Sequence, residues 1–140
     1  APNLFPIIGS MKDDSYVFNE KTYHMPKHGF VRHNEDIKLL EQTENSLTFS
    51  LKQNKQISEW FPFDFEFLLK YTLIENTLTL THTVKNIGDS DMYFSIGGHP
   101  AFKCPFYDEE NYTDYHLEFE NPETKVKNSI TLEGLQSFFA

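Results

Sequence analysis

Two histidines stand in segments whose residue types suit acid–base chemistry. His28 lies between a proline and a glycine-containing turn in Met25–His33, and His99 follows two glycines and precedes a proline in Ser95–Phe102. Proline fixes the backbone, and glycine permits unusual turns and a close approach by a ligand. A histidine held in such a loop exchanges a proton near neutral pH. The sequence therefore indicates His28 and His99 as candidates for a general acid or base.

Two further features supply groups suited to a polar substrate. Arg32 is the only arginine of the chain, and its fork of donors matches paired sugar hydroxyls or a carboxylate. The aromatic run Phe61–Phe65 contains Phe63 and Asp64. Each candidate also has a structural interpretation: loop histidines as polar surface, Arg32 as half of an exposed ion pair, the phenylalanines as core and Asp64 as a turn residue. The residue types alone leave both interpretations open.

A metal site formed by His24, His28 and His33 is rejected. The first two are four residues apart, a spacing that aligns metal ligands on a helix, but Pro26 and Gly29 prevent a helix here. We therefore expect no metal and no cofactor.

The elements that must position these side chains are predicted to be mainly strands. Most of the sequence alternates between apolar and polar residues, a pattern typical of half-buried strands. Phe65–Leu73 and Thr77–Val84 predict a hairpin that turns at Glu75–Asn76. In its second strand two leucines, His82 and Val84 share one face, and four threonines line the other.

Shorter runs of the same kind predict the remaining strands. They are Tyr16–Phe18, Thr22–His24, Ile37–Leu40, Leu47–Leu51, Met92–Ile96 and Tyr115–Phe119. One short helix is predicted at Lys55–Trp60, where Pro62 limits its length. Many short strands separated by turn residues predict an all-β fold, a sandwich or a barrel.

Composition narrows the class of partner. The formal charge is −9, from 12 Lys plus Arg against 21 Asp plus Glu, which disfavours nucleic acid and anionic membrane surfaces. The single cysteine, Cys104, cannot form a disulfide within these 140 residues, which favours a reducing compartment and hence the cytoplasm. No apolar run approaches the roughly 20 residues that a membrane span needs.

The two ends of the sequence read as interior chain. Leu4–Ile8 and Leu135–Phe139 are rich in apolar residues, whereas natural termini are usually polar and loosely held. We therefore expect residues 1–140 to form a single partial domain, truncated at both ends, whose partner is the remaining half of its own chain.

Taken in order, four segments resemble the aldose 1-epimerase (galactose mutarotase-like) family, and most closely its bacterial branch of LacX-type proteins. They are Ala1–Gly9, His28–Phe30, Phe61–Asp64 and Gly97–Phe102. The resemblance extends over nearly the whole chain. It implies an antiparallel β-sandwich, the galactose mutarotase-like supersandwich, of which this chain is a part, and an enzyme that interconverts the α and β anomers of a free aldose.

The resemblance also implies residue roles. His99 matches the general acid that protonates the ring oxygen O5, and His28 matches the second active-site histidine. The general base, a glutamate, and a sugar-binding aspartate would lie downstream of residue 140. Arg32, Asp64, Phe30 and Phe63 are expected to contact the sugar, the two phenylalanines by covering its apolar face.

Two departures from the family pattern concern the substrate more than the fold. Ser10 stands where the family often has an arginine, and the histidine motif reads Gly-Gly-His-Pro in place of the Asn-His form. Two alternatives therefore stay open: a sugar-binding relative without turnover, and an epimerase of a phosphorylated hexose. The second should place several basic residues around a phosphate, which the acidic composition does not favour.

Overall fold

The protein is all-β, as predicted, with antiparallel strands and little helix. The computed structural model describes residues 3–118, 120–121, 129–130 and 136–137. Its strands are β1 (Asn3–Leu4), β2 (Ser15–Phe18), β3 (Lys21–His24), β4 (Lys38–Gln42), β5 (Ser46–Lys52), β6 (Phe65–Ile74), β7 (Thr77–Asn86), β8 (Gly97–Gly98), β9 (Ser129–Ile130) and β10 (Gln136–Ser137). Helix α1 spans Lys55–Trp60, and short 3-10 turns span Lys12–Asp14, Val31–His33 and Tyr112–Asp114.

A four-stranded antiparallel sheet in the order β4-β5-β6-β7 forms the body of the structure. The predicted hairpin is confirmed as β6–β7, paired without interruption from Phe65 opposite Asn86 to Ile74 opposite Thr77. Its turn is the predicted Glu75–Asn76, and Glu75 adopts a positive φ of 52°. A left-handed residue in a two-residue turn matches the twist of the two strands that it joins.

The two faces of β6 differ as its alternation predicts. Phe65, Phe67 and Leu69 are buried. Glu66 points to the opposite face, where its carboxylate lies 3.4 Å from Lys52 Nζ and 2.9 Å from Lys85 Nζ. Those lysines are its partners on the two neighbouring strands. The hydrogen bond from Lys85 is the main cause that lowers the pKa of Glu66. Opposite charges on three adjacent strands therefore favour the observed register of the sheet.

The strands and the helix predicted between residues 16 and 60 are also confirmed. β2 and β3 pair in a hairpin, and its turn residues Asn19 and Glu20 both have positive φ. Tyr16 Oη donates a 2.7 Å hydrogen bond to the carbonyl of Trp60, the last residue of α1, which connects the hairpin to the helix. Burial raises the pKa of Tyr16 to about 12. Helix α1 begins where Asn54 accepts a hydrogen bond from the Ile57 N–H at 2.9 Å. It ends at Trp60, as predicted.

The predicted strand Met92–Ile96 is wrong, and Pro6 gives the reason. β1 and β8 pair Asn3 with Gly98 and Leu4 with Gly97. Continued by two residues, this ladder would place Pro6 opposite Ser95. The Ser95 N–H donates to the Pro6 carbonyl at 2.7 Å, but proline has no N–H to complete the pair. The alternation of Met92 and Ile96 reflects packing against the core and not a continued ladder.

The predicted strand Tyr115–Phe119 is also wrong for its described residues, 115–118. Tyr115 directly follows the 3-10 turn Tyr112–Asp114, whose start is held by reciprocal bonds between Asn111 and Asp114. The Tyr115 hydroxyl accepts from the Phe106 N–H at 3.0 Å, so local bonds hold this segment. Residue 119 lies outside the described residues.

The core lies between the four-stranded sheet, helix α1 and the segment that follows β1. Phe5 is at its centre and is fully buried, with its ring against those of Phe30, Phe61, Phe65 and Phe67. Among the described residues, no helix has the length and apolar character that crossing a bilayer requires.

Candidate active site

The His28 turn depends on the glycine that follows the histidine. His28 and Gly29 both adopt left-handed backbone conformations, with φ of 67° and 73°. The Gly29 N–H donates to the Pro26 carbonyl at 2.9 Å, which closes the turn. A Cβ at Gly29 would overlap the Phe5 carbonyl and lie 2.7 Å from Pro6 N. Only glycine fits this conformation and this close approach without strain.

The imidazole of half-buried His28 is oriented by main-chain groups. Its Nδ1 contacts the Ile8 carbonyl oxygen, and the main-chain N–H of His28 donates to the Gly9 carbonyl at 2.8 Å. Because a carbonyl only accepts hydrogen bonds, Nδ1 must carry the hydrogen. Nε2 is then the acceptor of the neutral ring and a second donor when the ring is protonated. The contact with Ile8 therefore occupies Nδ1 and does not involve Nε2.

His99 is held beside this ring by the short pair of β1 and β8. It directly follows Gly98, the last residue of β8, and its side chain is exposed. The ring centroids of His28 and His99 are 6.4 Å apart, with the ring planes inclined at 57°. Two histidines separated by 70 residues in sequence thus lie side by side in the structure.

A single segment, Asn3–Gly9, contacts the chain around both histidines, and we call it the anchor segment. Its first two residues pair with β8 and so position His99. Phe5 forms a bridge with Gly29 and accepts from the Phe30 N–H at 3.1 Å. Ile8 contributes its carbonyl to His28, and its side chain lies over Gly97, where an added Cβ would be 3.3 Å away.

Sequence reasoning missed this positioning role. It read Leu4–Ile8 as buried chain, which is correct for Leu4, Phe5 and Pro6, but it could not assign the partners of that chain. The available signals were the polar Asn3 in an apolar run and the glycine after His28, which requires a close neighbour.

Arg32 lies in the wall of a cavity that adjoins the His28 turn. The cavity has a volume of about 420 Å³, and the polar or aromatic residues in its wall include Lys27, Arg32, His33, Asn34, Glu35, Asp36, Gln56 and Trp60. Its positive and negative side chains are balanced. Hydrogen-bonding groups beside a half-buried indole give this cavity a lining that suits a polyhydroxylated ligand.

The remaining predicted site residues have other surroundings. Phe30 and Phe63 are each only 5% exposed and belong to the core, although Phe30 also borders the Arg32 cavity. Asp64 is exposed immediately before β6, where its carbonyl accepts from the Ile87 N–H at 3.0 Å. The geometry thus brings His28 and His99 together and leaves both phenylalanines packed inside.

A family model and two curated relatives match nearly the whole chain. The family model described as aldose 1-epimerase matches residues 4–137. The plasmid and chromosomal LacX proteins of Lactococcus lactis subsp. lactis are each 38% identical to this chain over 142 aligned positions, which cover 96% of it and 47% of the relative. The chain therefore spans about half the length of the curated relatives it matches.

Solved structures give the same result for the fold. A galactose mutarotase related enzyme from Lactobacillus acidophilus superposes with a TM-score of 0.77 at 43% identity, covering 81% of this chain and 37% of the other. A galactose mutarotase-like protein from Lactobacillus casei gives 0.64 at 34% identity, covering 68% and 32%. The predicted galactose mutarotase-like sandwich is confirmed, and this chain belongs to the aldose 1-epimerase family.

Proposed function

We propose that the natural gene product is an aldose 1-epimerase that interconverts the α and β anomers of a free aldose. The observation that carries the proposal is the convergence of His28 and His99, whose ring centroids lie 6.4 Å apart on loops held by one segment. Membership of the family supports the class of reaction.

The chemistry requires two proton transfers on opposite sides of a sugar ring. The hydroxyl at C1 loses its proton, the C1–O1 bond becomes a carbonyl, the C1–O5 bond breaks, and O5 gains a proton. Rotation about C1–C2 and the reverse steps then close the ring as the other anomer. Each transferring group needs a pKa near the working pH. Histidine meets that condition without large adjustment.

We assign the acid role at O5 to His99, which is exposed and reaches a substrate directly. The contact of His28 Nδ1 with the Ile8 carbonyl leaves Nε2 for the substrate. We assign to this Nε2 the role of polarising the sugar near O5. The base that takes the O1 proton is proposed to be a carboxylate supplied from outside these 140 residues, as the family resemblance implies. The reaction regenerates both groups in their starting protonation states.

We propose that the cavity beside the His28 turn receives part of the sugar. Arg32 would donate to hydroxyl groups, and the half-buried Trp60 would contact an apolar face of the ring. Phe30 and Phe63 are left to the core because their rings are almost fully covered. The single cysteine favours the reducing cytoplasm as the place of the reaction.

Polarimetry of freshly dissolved α-D-glucose and α-D-galactose tests the proposal. The natural gene product should accelerate the approach to anomeric equilibrium, and His99→Gln should lower kcat by about 10²–10⁴-fold, the range for loss of a general acid. His116→Gln, at an exposed histidine, is the matched control and should keep wild-type rates. Saturable sugar binding without faster anomerisation would refute the epimerase proposal and favour the alternative of a sugar-binding protein without turnover.

A further inference from the structure

Asn3 connects the anchor segment to two strands of the large sheet. The residue is buried, with only 8% of its surface exposed. Nδ2 lies 3.4 Å from the Tyr71 hydroxyl on β6, and Oδ1 lies 2.8 Å from His82 Nε2 on β7. The amide oxygen only accepts hydrogen bonds, so His82 Nε2 donates and Asn3 Nδ2 donates to Tyr71. Both ends of one buried amide are thereby used.

The two partners lie on one face of the sheet. Leu69 is opposite His82 and Tyr71 is opposite Leu80, so Tyr71 and His82 are diagonal neighbours across β6 and β7. Phe67, also on this face, has its ring centroid 6.0 Å from that of His82. The amide of Asn3 thus fixes the anchor segment at one position along this face.

The main chain of Asn3 pairs with Gly98, the residue directly before His99. β1 and β8 have only two residues each, so this ladder by itself fixes the position of His99 weakly. The bonds from Asn3 to Tyr71 and His82 add a fixed attachment at the β1 end of this pair. A displacement of about 1 Å at a reacting group is sufficient to lower a rate about 10²-fold.

We infer that Asn3 is a positioning residue, whose bonds to Tyr71 and His82 set the place of His99 relative to His28. The inference rests on the proposed function for its kinetic readout. Asn3 is assigned no contact with the sugar, so its removal should change kcat and leave KM nearly constant.

The first test compares Asn3→Leu, which keeps the size of the side chain and removes both bonds, with wild type in the natural gene product. We expect kcat for α-D-galactose to fall at least about tenfold and KM to change less than about twofold. The control Asn76→Leu makes the same substitution in the exposed β6–β7 turn and should leave both constants unchanged. An unchanged kcat, or a change confined to KM, would overturn the inference.

A second pair of variants decides the question if Asn3→Leu does not fold. His82→Gln retains an N–H that can donate to Asn3 Oδ1, whereas His82→Leu does not. We expect His82→Gln to stay within about threefold of wild-type kcat and His82→Leu to lose about tenfold. Equal kcat values for the two variants would show that the hydrogen bond has no positioning role.

Imidazole nitrogen NMR gives a readout that does not depend on turnover. Wild type should show His82 as the Nε2–H tautomer, and Asn3→Leu should shift the ring signals of His99 but not those of His116. Unmoved His99 signals would contradict the inference. If wild-type protein accelerates no sugar while the His99 signals still shift, the proposed function fails and the positioning role stands.

Discussion

Replacing Gly29 by alanine should destabilise the protein through a specific main-chain conflict. A non-glycine residue at φ 73° costs about 1–2 kcal/mol. The new Cβ also overlaps the Phe5 carbonyl, so the turn must move. That movement weakens the Phe30 N–H bond to Phe5 and the Gly29 N–H bond to Pro26, at about 1 kcal/mol each. Alanine restricts the unfolded chain, which offsets about 0.4–1 kcal/mol. The net loss should be about 2–3.6 kcal/mol.

Urea unfolding of the natural gene product measures this change, with Gly9→Ala as the matched control. Gly9 lies in the same anchor segment, does not have a positive φ, and has open space where its Cβ would be placed. Gly9→Ala should therefore remain within about 0.5 kcal/mol of wild type or gain slightly. Equal stabilities of Gly29→Ala and Gly9→Ala would refute the reasoning about the close approach of Phe5 to the turn.

Three further predictions concern the core, the helix cap and a buried histidine. Phe5→Ala should lower the free energy of unfolding by about 3–5 kcal/mol, because Phe5 is fully buried. The control Phe102→Ala removes a residue that is 69% exposed and should change the free energy of unfolding by less than about 0.5 kcal/mol. Urea unfolding measures both changes. Asn54→Ala should cost about 1 kcal/mol by thermal unfolding, since the first turn of α1 loses the acceptor for the Ile57 N–H; an unchanged melting temperature would show that the cap contributes nothing. Burial lowers the pKa of His82, so this imidazole binds a proton more readily in the unfolded chain than in the folded protein. The stability that His82 contributes is therefore present above the ordinary histidine pKa of about 6.5 and is lost as the pH falls below that value. His82→Gln should therefore flatten the decline in stability measured between about pH 7 and pH 5.5, and an identical pH profile would contradict this assignment.

Local structure was largely predictable from the sequence because its determinants are local. Phe65–Ile74 and Thr77–Asn86 largely alternate between apolar and polar residues and are joined by a two-residue turn, so their pairing needs no distant information. The helix Lys55–Trp60 was predictable because Pro62 limits its length, and the structure adds Asn54 as the cap at its start.

One failure arose where a distant main-chain group decides the outcome. Met92–Ile96 has the composition of a strand, but the missing N–H of Pro6, almost 90 residues away, stops its ladder. The histidine motifs identified the two candidate groups, yet the anchor segment that brings them together makes its contacts through backbone atoms. Backbone contacts leave little trace in residue type, apart from Gly29, where only a glycine fits.

The central claim, that His28 and His99 act on one substrate as a unit, is tested most directly by a double-mutant cycle. Anomeric exchange of galactose at equilibrium would be measured by NMR for wild type, His28→Gln, His99→Gln and the double variant of the natural gene product. Residues that act together have non-additive effects. We predict losses of about 10²–10⁴-fold in each single variant and no greater loss in the double variant than in the more damaged single one. Losses that multiply, or a wild-type protein that does not accelerate exchange, would contradict the account.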